Sequence, residues 1–427
     1  MEYQETKAIL VGICADDAEG EELEKSLDEL ERLLDTAGGT CFAKVIQNKD
    51  HPDPRTLIGS GKVAEIASLC HLNEIGLVVF DSDLSPSQIR NLEDALGDDV
   101  RVIDRSMLIL DIFALHAVSR EGKLQVELAQ LRYTAPRLTG RGVEMSRLGG
   151  GIGTRGPGES KLETDRRHMK RRVVALEEEL KLLDKNRQTM RAARDRSGIA
   201  KVAIVGYTNA GKSTILNRLT DAGILAEDKL FATLDPTTRK FGLPGGESVL
   251  LTDTVGFIRK LPHHLIKAFK STLDEAVFAD VLMIVLDISD PEAPAQLEVT
   301  EKLLEELGAA GKPILYVFNK CDKGAAFIAE VGAPAAHPFT VSVSARTGQG
   351  MELLVQKLEE LLHADKKEVT FQIPNFAAGQ LNVLYQNATV KEIDYGAEFI
   401  TVCAIVDQKT HGMLRRFDPN WKEPEEE

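Results

Sequence analysis

The sequence has 427 residues, with 52 Lys and Arg against 67 Asp and Glu, and a formal net charge of −15. This length allows two to four domains with substantial cores, and the acidic balance excludes a protein that coats nucleic acid by bulk charge. No apolar run is long enough to span a membrane, and the opening residues lack a secretory signal pattern. The five cysteines include no C-x-x-C pair, which argues against a disulfide framework or a zinc site. We therefore expect a reduced, cytoplasmic protein without a membrane span.

One basic region lies between two acidic ones. Residues 1–131 hold 12 basic and 26 acidic side chains, residues 132–196 hold 17 and 9, and residues 197–427 hold 23 and 32. A local basic excess is either an electrostatic footprint for a polyanion or the solvated face of a long helix. The charge count alone does not distinguish the two.

Strand and helix patterns alternate over the first hundred residues. The predicted strands are residues 7–13, 40–47, 76–80 and 100–103, with helices between them. Ser85 precedes Pro86, and Gln88 follows three residues later, which is typical of a capped helix start. Such alternation predicts a small parallel α/β subdomain, to which we assign residues 1–104.

A short stretch of this subdomain, residues 58–62 (IGSGK), has a faint likeness to a phosphate-binding loop. It lacks the four-residue span between glycines and the hydroxyl after the lysine. We interpret it as a loop and helix start, and keep a second nucleotide site there as an alternative.

Two helical patterns flank a loop of unusual composition. Leu124, Leu128 and Leu131 line one face of a helical stretch over residues 105–133, and residues 161–196 contain neither Gly nor Pro and carry a coiled-coil-like apolar seam. The loop between them, residues 136–160, holds eight glycines, two prolines and four arginines. We predict a helical hairpin over residues 105–197 whose basic tip approaches phosphates, the alternative being a flexible interdomain linker.

The sequence KVAIVGYTNAGKSTILNRLT, residues 201–220, contains a phosphate-loop pattern in its required setting. An apolar strand precedes G-x-x-x-x-G-K-[ST], and a helix follows it. Glycines let backbone N–H groups turn inward, and the helix N-terminus adds to this anion cradle. The predicted nucleotide contacts here are Gly206, Tyr207, Thr208, Asn209, Ala210, Gly211, Lys212, Ser213 and Thr214.

Two further motifs predict the metal site and the phosphate sensor. Asp253 ends an apolar strand and opens a D-x-x-G motif that closes at Gly256. We expect Ser213, Thr233 and Asp253 to hold Mg²⁺, with Thr237 and Thr238 as rivals for Thr233 in the switch loop 230–240. Gly256 is expected to meet the γ-phosphate. Lys212, Thr233 and Gly256 form the predicted catalytic set.

A fourth motif selects the base. Asn319, Lys320 and Asp322 form N-K-x-D at the end of a strand, and Ser344 and Ala345 follow the last strand. A carboxylate accepts two hydrogen bonds from the guanine edge, which adenine does not offer. Asp322 therefore selects GTP over ATP.

Two residues depart from a Ras-type site. Phe257 occupies the position where Ras-type enzymes place a glutamine that orients the attacking water. Slow intrinsic hydrolysis, or a group supplied by a partner, is therefore expected. Asn209 resembles the asparagine of potassium-activated GTPases, and K⁺ as a second cofactor is a hypothesis that equal turnover in K⁺ and Na⁺ buffers would contradict.

The predicted fold class is α/β. A P-loop GTPase domain with a mostly parallel sheet, residues 198–365, follows the α/β subdomain and the hairpin. A small α+β module, residues 366–420, and an acidic tail, residues 421–427, complete the chain.

Several motifs together resemble the HflX family of translation-factor-related GTPases. They are GYTNAGKST, FATLDPTTR, DTVGFIRKLPHHL, GGGIGTRGPGES with KLETDRR, LSPSQIRNLE and EGKLQVELAQLRY, and the likeness covers roughly residues 1–365. The resemblance implies GTP hydrolysis stimulated by the large ribosomal subunit, and splitting or rescue of stalled ribosomes. Arg141, Arg147 and Arg155 of the glycine-rich loop then become the expected contacts to ribosomal RNA, made by a monomer.

Two other readings stay open. One is a switch GTPase that recruits a protein partner through its acidic domain. The other is an RNA-remodelling NTPase with a second nucleotide site near Gly59–Lys62.

Overall fold

The computed structural model describes residues 6–15, 17–135, 157–196, 199–220, 230–231, 234–262, 265, 270–324, 338–364, 367–406 and 408–421. The chain forms two compact units. The first comprises Met1–Lys185, Leu225–Asp235 and Val255–Leu273, and the second comprises Asn186–Ile224, Pro236–Thr254 and Asp274–Glu427. No helix in the described ranges is long and apolar enough to cross a membrane. The domain boundaries stated above stay predictions.

The first unit contains a four-stranded parallel sheet. Its strands are β1 (Lys7–Cys14), β2 (Thr40–Asn48), β3 (Leu77–Phe80) and β4 (Arg101–Asp104), in the order β2-β1-β3-β4. Helices α1 (Asp17–Thr36), α2 (Ser60–Asn73) and α3 (Pro86–Leu96) connect them. The predicted parallel α/β subdomain is confirmed.

The start of α3 shows why this local prediction succeeded. The Ser85 hydroxyl accepts a hydrogen bond from the Gln88 N–H at 3.2 Å, and the Ser85 N–H donates to the Gln88 side chain at 2.9 Å. This reciprocal capping box satisfies backbone donors that have no partner within the helix.

The predicted helical stretch 105–133 is divided into two helices, α4 (Arg105–His116) and α5 (Arg120–Thr134). Asp104 caps the first through the Met107 N–H at 3.0 Å, and Ser119 caps the second through the Gly122 N–H at 2.9 Å. Because a serine cap starts a new helix without Gly or Pro, the helical periodicity continues across the break. The helical prediction for this range is confirmed, with a break between the two helices that it did not specify.

Helix α6 spans Pro157–Arg196, so it begins four residues earlier than the predicted 161 and takes in the end of the predicted loop. Leu176 is fully buried against Leu124 and Leu128, as the predicted seam required. Ion pairs flank this contact, among them a two-pronged pair from Arg172 to Glu127 at 2.6 and 2.7 Å. The packing of α5 against α6 confirms that these helices form a hairpin.

The second unit is built on a six-stranded sheet in the order β10-β9-β8-β5-β7-β6. The strands are β5 (Ala200–Gly206), β6 (Thr237–Gly242), β7 (Ser248–Asp253), β8 (Val281–Asp287), β9 (Ile314–Asn319) and β10 (Thr340–Ser342). All pairs are parallel except β6 with β7. Four helices in the described ranges alternate along the chain with these strands: α7 (Lys212–Thr220), α8 (Lys270–Phe278), α9 (Ala293–Glu306) and α10 (Met351–His363).

Strand β6 corrects one prediction. Residues 237–240 were expected in a switch loop, but they form the antiparallel edge of the sheet. The Thr238 hydroxyl lies 3.0 Å from the Thr252 hydroxyl on β7. Cross-strand pairing thus holds both Thr237 and Thr238 in the sheet, and the choice of Thr233 over them stays a prediction.

The C-terminal module is a three-stranded antiparallel sheet in the order β11-β13-β12. The strands are β11 (Lys367–Pro374), β12 (Thr389–Tyr395) and β13 (Phe399–Val406), and the helices are α11 (Leu381–Asn387) and α12 (Gln408–Leu414). Buried residues alternate with exposed ones in β11 and with half-buried ones in β13, so one sheet face packs on the helices. The predicted α+β module is confirmed.

Candidate functional site

The phosphate loop connects β5 to α7 and requires two glycines. Gly206 has φ 143°, and a Cβ there would lie 2.3 Å from the Val285 carbonyl oxygen. Gly211 has φ 95°, and its Cβ would lie 2.2 Å from the Asn319 side-chain nitrogen. Both conditions exclude other residues, since left-handed backbone and close approach each favour glycine. The glycines of the motif are thus explained by this loop's own geometry.

Lys212 is buried at the first position of α7. Its ammonium group donates to the carbonyl oxygens of Gly206 at 3.1 Å and Tyr207 at 2.8 Å. Burial lowers the pKa of Lys212 to about 8, and the negative charge of Asp253 opposes this shift. A desolvated cation at a helix N-terminus gains most from an arriving phosphate group.

A buried hydroxyl completes the loop. Among the described residues, the Thr208 side-chain oxygen has no hydrogen-bond partner, although Thr208 is only 6% exposed. A buried polar atom without a partner is costly, and such atoms in native structures often meet a ligand. Together with Lys212, it suits an anion rather than an apolar molecule.

Ser213 and Asp253 supply oxygen atoms for a metal ion. The Ser213 hydroxyl donates to the Asp253 carboxylate at 2.6 Å, because parallel pairing of β5 with β7 brings the end of β7 beside the loop. A hydroxyl and a carboxylate are the hard ligands that Mg²⁺ accepts, and Mg²⁺ usually keeps several waters and phosphate oxygens as further ligands. The donor set therefore fits Mg²⁺. Among the described residues, no group of three or more His, Cys, Asp or Glu side chains is arranged for a metal.

The base-binding motif is tied to the phosphate loop through Asn319. Its side-chain nitrogen donates to the Ala210 carbonyl at 2.8 Å, and its side-chain oxygen accepts from the Ala345 N–H at 3.0 Å. One amide thus fixes the spacing between the phosphate loop and the segment after β10. This is the bracing role predicted for Asn319.

Asp322 lies in a short 3₁₀ turn, Cys321–Lys323, where its side chain is accessible. A hydrogen bond from the Ser344 hydroxyl lowers the pKa of the Asp322 carboxyl group. The group is therefore ionised at neutral pH and available to two donors on one molecular edge.

Lys320 has a partner that the sequence reasoning missed. Its backbone is left-handed, with φ 64°, and its ammonium group pairs with Asp287 at 2.7 Å. Asp287 ends β8, the neighbour of β9, so an acidic residue at that strand end was the available signal. The ion pair holds the lysine stem in one direction.

The outcome for the predicted site residues divides into three groups. The second unit contains the phosphate-loop residues, Asp253, the N-K-x-D residues, Ser344 and Ala345. Gly256 belongs to the first unit, so its contact with phosphate stays a prediction. Outside the described residues lie Thr233, Arg141, Arg147 and Arg155.

Comparison with known proteins decides the family. Family models match residues 24–114 ("GTP-binding GTPase N-terminal"), 116–194 ("GTP-binding GTPase Middle Region") and 201–320 ("50S ribosome-binding GTPase"). The GTPase HflX of Lacrimispora saccharolytica is 49% identical over 411 residues, covering 96% of both chains. The chain belongs to the HflX GTPase family.

A second relative is similar over most of its length, and one solved structure is similar at lower identity. The GTPase HflX of Escherichia coli K12 is 43% identical over 351 residues, covering 82% of each chain. A crystal structure of a GTP-binding protein from Sulfolobus solfataricus in complex with GDP is 27% identical and covers 83% of this chain and 98% of its own, with a TM-score of 0.44. As an HflX-family member, the chain is a GTP-binding GTPase, and its three-part organisation is that of the family.

Proposed function

We propose that the protein is a Mg²⁺-dependent GTPase that binds the large ribosomal subunit and its RNA and splits or rescues stalled ribosomes, acting as a cytoplasmic monomer. The observation that carries the GTPase part is Asn319, which joins the phosphate loop to the guanine-binding segment. The family model described as "50S ribosome-binding GTPase" supports the ribosomal part.

The nucleotide is held at both ends. Backbone N–H groups of residues 206–214 surround the phosphates, and Lys212 exchanges two backbone carbonyls for the β- and γ-phosphate oxygens. Asp322 is the proposed acceptor for guanine, and the Ala345 N–H, which donates to the Asn319 side-chain oxygen at 3.0 Å, is the proposed donor to the guanine oxygen once guanine binds. Specificity for GTP over ATP follows from the Asp322 carboxylate.

Ser213, Asp253 and Thr233 are the proposed Mg²⁺ ligands. The ion, when bound, neutralises the charge that develops on the β- and γ-phosphate oxygens. Asp253 orients the site, and its contact with Ser213 is the described part of it. Gly256 is the proposed sensor of the γ-phosphate.

Phe257 leaves the catalytic site incomplete. Its side chain is 1% exposed and has no group that can orient water. We therefore propose that the ribosome supplies or positions the missing group. K⁺ at Asn209, whose backbone is left-handed with φ 61°, is the second proposed contribution.

The hairpin of α5 and α6 carries the basic loop. Leu176 is buried between the two helices, and the basic loop is the segment of chain that connects them. We propose that Arg141, Arg147 and Arg155 contact RNA phosphates there, which makes binding strongly dependent on salt.

Co-sedimentation with purified ribosomal subunits tests this function. The full chain should sediment with large subunits in the presence of a non-hydrolysable GTP analogue and much less with GDP. Replacing Arg141, Arg147 and Arg155 by Ala should weaken binding and lower its salt dependence. The matched control replaces Lys25, Lys44 and Lys62, three cations of the acidic subdomain.

Equal co-sedimentation of the protein with large subunits in the GTP analogue and in GDP contradicts the proposed dependence of ribosome binding on the nucleotide. Equal loss in the control triple variant contradicts a specific role for the loop. Capture of large subunits only through another protein would favour the alternative of a GTPase that recruits a protein partner.

The second nucleotide site near Gly59–Lys62 has little support. The Gly59 N–H donates to the Gln47 side chain at 2.8 Å, and Lys62 pairs with Glu65 at 2.8 Å. Both groups are therefore engaged within the protein. Equilibrium dialysis should give one nucleotide per chain, whereas two would revive the RNA-remodelling alternative.

A further inference from the structure

The described residues at the start of the predicted switch loop 230–240, and those of the segment after β7, belong to the first unit. Residues 225–235 and 255–273 belong to the same unit as the N-terminal sheet, although they are connected to β6, β7 and α8. Phe257, Ile258 and Leu265 are each at most 1% exposed. The N-terminal subdomain is therefore a packing partner of the predicted switches.

The earlier segment is attached by a helix cap and an aromatic contact. Asp235 accepts hydrogen bonds from the backbone N–H groups of Val118 at 3.0 Å and Ser119 at 2.7 Å, and from the Ser119 hydroxyl. The Phe231 ring meets Phe113 edge-on, with centroids 4.7 Å apart. These contacts fix the segment at the start of α5.

The later segment is attached by Lys260. Its ammonium group donates to Asp81 at 2.6 Å, directly after β3. Asp81 also pairs with Arg105 at 2.8 Å and accepts from the Ser26 hydroxyl at 3.0 Å. Burial raises the pKa of Asp81, but Arg105 and Lys260 outweigh it, so the net pKa is lowered.

Lys260 differs from the other charged members of this cluster in exposure. The side chains of Asp81, Arg105 and Glu29 are 0%, 2% and 4% exposed, whereas Lys260 is 49% exposed. Arg105 pairs with both Asp81 and Glu29, so each buried carboxylate keeps a charged partner when Lys260 leaves, although the two carboxylates then share one guanidinium. Removing a buried member would leave an uncompensated charge. Lys260 is thus the detachable member.

The position of Lys260 in the chain gives this contact a consequence. Lys260 is the fourth residue after Gly256, a reach of at most about 14 Å. The Lys260 backbone is left-handed, with φ 51°, a conformation that a non-glycine residue adopts at a cost. A segment held at Lys260 has restricted freedom at Gly256.

We propose that Lys260 is a positioning residue whose ion pair with Asp81 holds the segment after β7 on the N-terminal subdomain and thereby favours GDP over GTP. The proposal rests on the proposed function, in which the Gly256 N–H meets the γ-phosphate. GDP lacks the γ-phosphate that Gly256 is proposed to contact, whereas GTP, in this proposal, draws Gly256 away from its docked position. By reciprocity, GTP weakens the contact between Lys260 and Asp81.

Nucleotide affinities of four proteins test the proposal: the full chain, Lys260→Ala, Lys260→Arg and Lys44→Ala. Lys44 is the matched control, since it pairs with Asp28 and Glu31 on the same subdomain but far along the chain from the switches. Lys260→Ala should bind a non-hydrolysable GTP analogue about fivefold more tightly relative to GDP. Lys260→Arg and Lys44→Ala should keep the ratio of the full chain.

A double-mutant cycle tests whether Asp81 is the partner. Asp81→Asn should raise the GTP-to-GDP affinity ratio as Lys260→Ala does, and the double variant should add nothing further. Hydrogen exchange of residues 255–262 should quicken in Lys260→Ala without nucleotide, and in the full chain with the GTP analogue. This exchange readout remains informative if Asp81→Asn fails to fold.

An unchanged affinity ratio in Lys260→Ala, with normal binding of both nucleotides by the full chain, overturns the proposal and leaves the proposed function intact. Additive effects in the cycle also overturn it. Failure of the full chain to bind either nucleotide contradicts the proposed function itself and, with it, the coupling.

Discussion

At the scale of residues, Lys212 has the most strongly altered chemistry of the phosphate loop. It is buried, bonded to two carbonyl oxygens, and its pKa is lowered to about 8. Phosphate oxygens would stabilise the protonated form and raise this pKa again. Nucleotide binding is therefore linked to protonation of Lys212.

Nucleotide affinity should consequently fall as pH rises through 8. Below that pH the ammonium form is already present, and above it binding must be accompanied by uptake of a proton. Between pH 7 and 8.5 we expect about a fourfold loss of GDP affinity. Isothermal titration calorimetry in buffers of different ionisation enthalpy measures both the affinity and the proton uptake.

Lys212→Arg is the matched control for this titration. A guanidinium stays protonated throughout the range, so the variant's affinity, whatever its absolute value, should not change with pH. The same slope in both proteins would show that another group titrates and would contradict the assignment to Lys212.

Contacts between residues that are near each other in the sequence could be predicted, whereas contacts between distant residues could not. The phosphate loop was predictable because its glycines, lysine and serine act within eight residues of each other, from Gly206 to Ser213. Lys260 and Asp81 lie 179 residues apart. Each occurs in a polar stretch of a kind that is usual at the protein surface, so neither stretch signals a distant partner. Nothing in a local pattern pairs them, so their contact emerged only from the fold.

At the scale of elements, the hairpin depends on one buried leucine. Leu176 is 0% exposed between α5 and α6, whereas Leu182 on the same helix is 65% exposed. Half-buried apolar side chains extend the contact: Leu131, Val173, Leu180 and Leu183. The ion pairs between the helices are exposed, so each contributes little. The apolar seam rather than the charges should hold the helices together.

Leu176→Ala should therefore destabilise the first unit by about 2–4 kcal/mol, since it removes buried methyl groups and leaves a cavity. Leu182→Ala removes the same atoms from solvent contact and should cost less than about 0.5 kcal/mol. Urea unfolding followed by circular dichroism compares the two. Similar destabilisation by both variants would argue that the seam does not carry the packing.

Two features of the fold, a strand and a break between helices, could not be predicted from the sequence. Strand β6 carries Arg239 and Lys240 at the sheet edge, and such polar edge strands lack an apolar pattern. The break between α4 and α5 has no Gly or Pro, because Ser119 serves as its cap and Asp235 secures that cap from far along the chain. Buried strands and long helices, in contrast, show their own periodicity and were predicted.

At the scale of the whole molecule, basic and acidic side chains are concentrated in different regions of the chain. The acidic N-terminal and C-terminal regions flank one basic region, residues 132–196, which coincides with α6 and the glycine-rich loop. An otherwise acidic protein avoids non-specific binding to nucleic acid, so a single basic arm can direct it to one polyanion. We therefore propose that this arm links GTP hydrolysis to the ribosome.

The most direct test measures GTP turnover with and without purified large ribosomal subunits, for the full chain and for a chain lacking residues 140–158. Large subunits should stimulate the full chain about tenfold or more, while small subunits serve as the control. The shortened chain should keep its GDP affinity, because its nucleotide-binding residues are unchanged, but should lose the stimulation. Equal stimulation of both chains, or none of the full chain, would contradict the account.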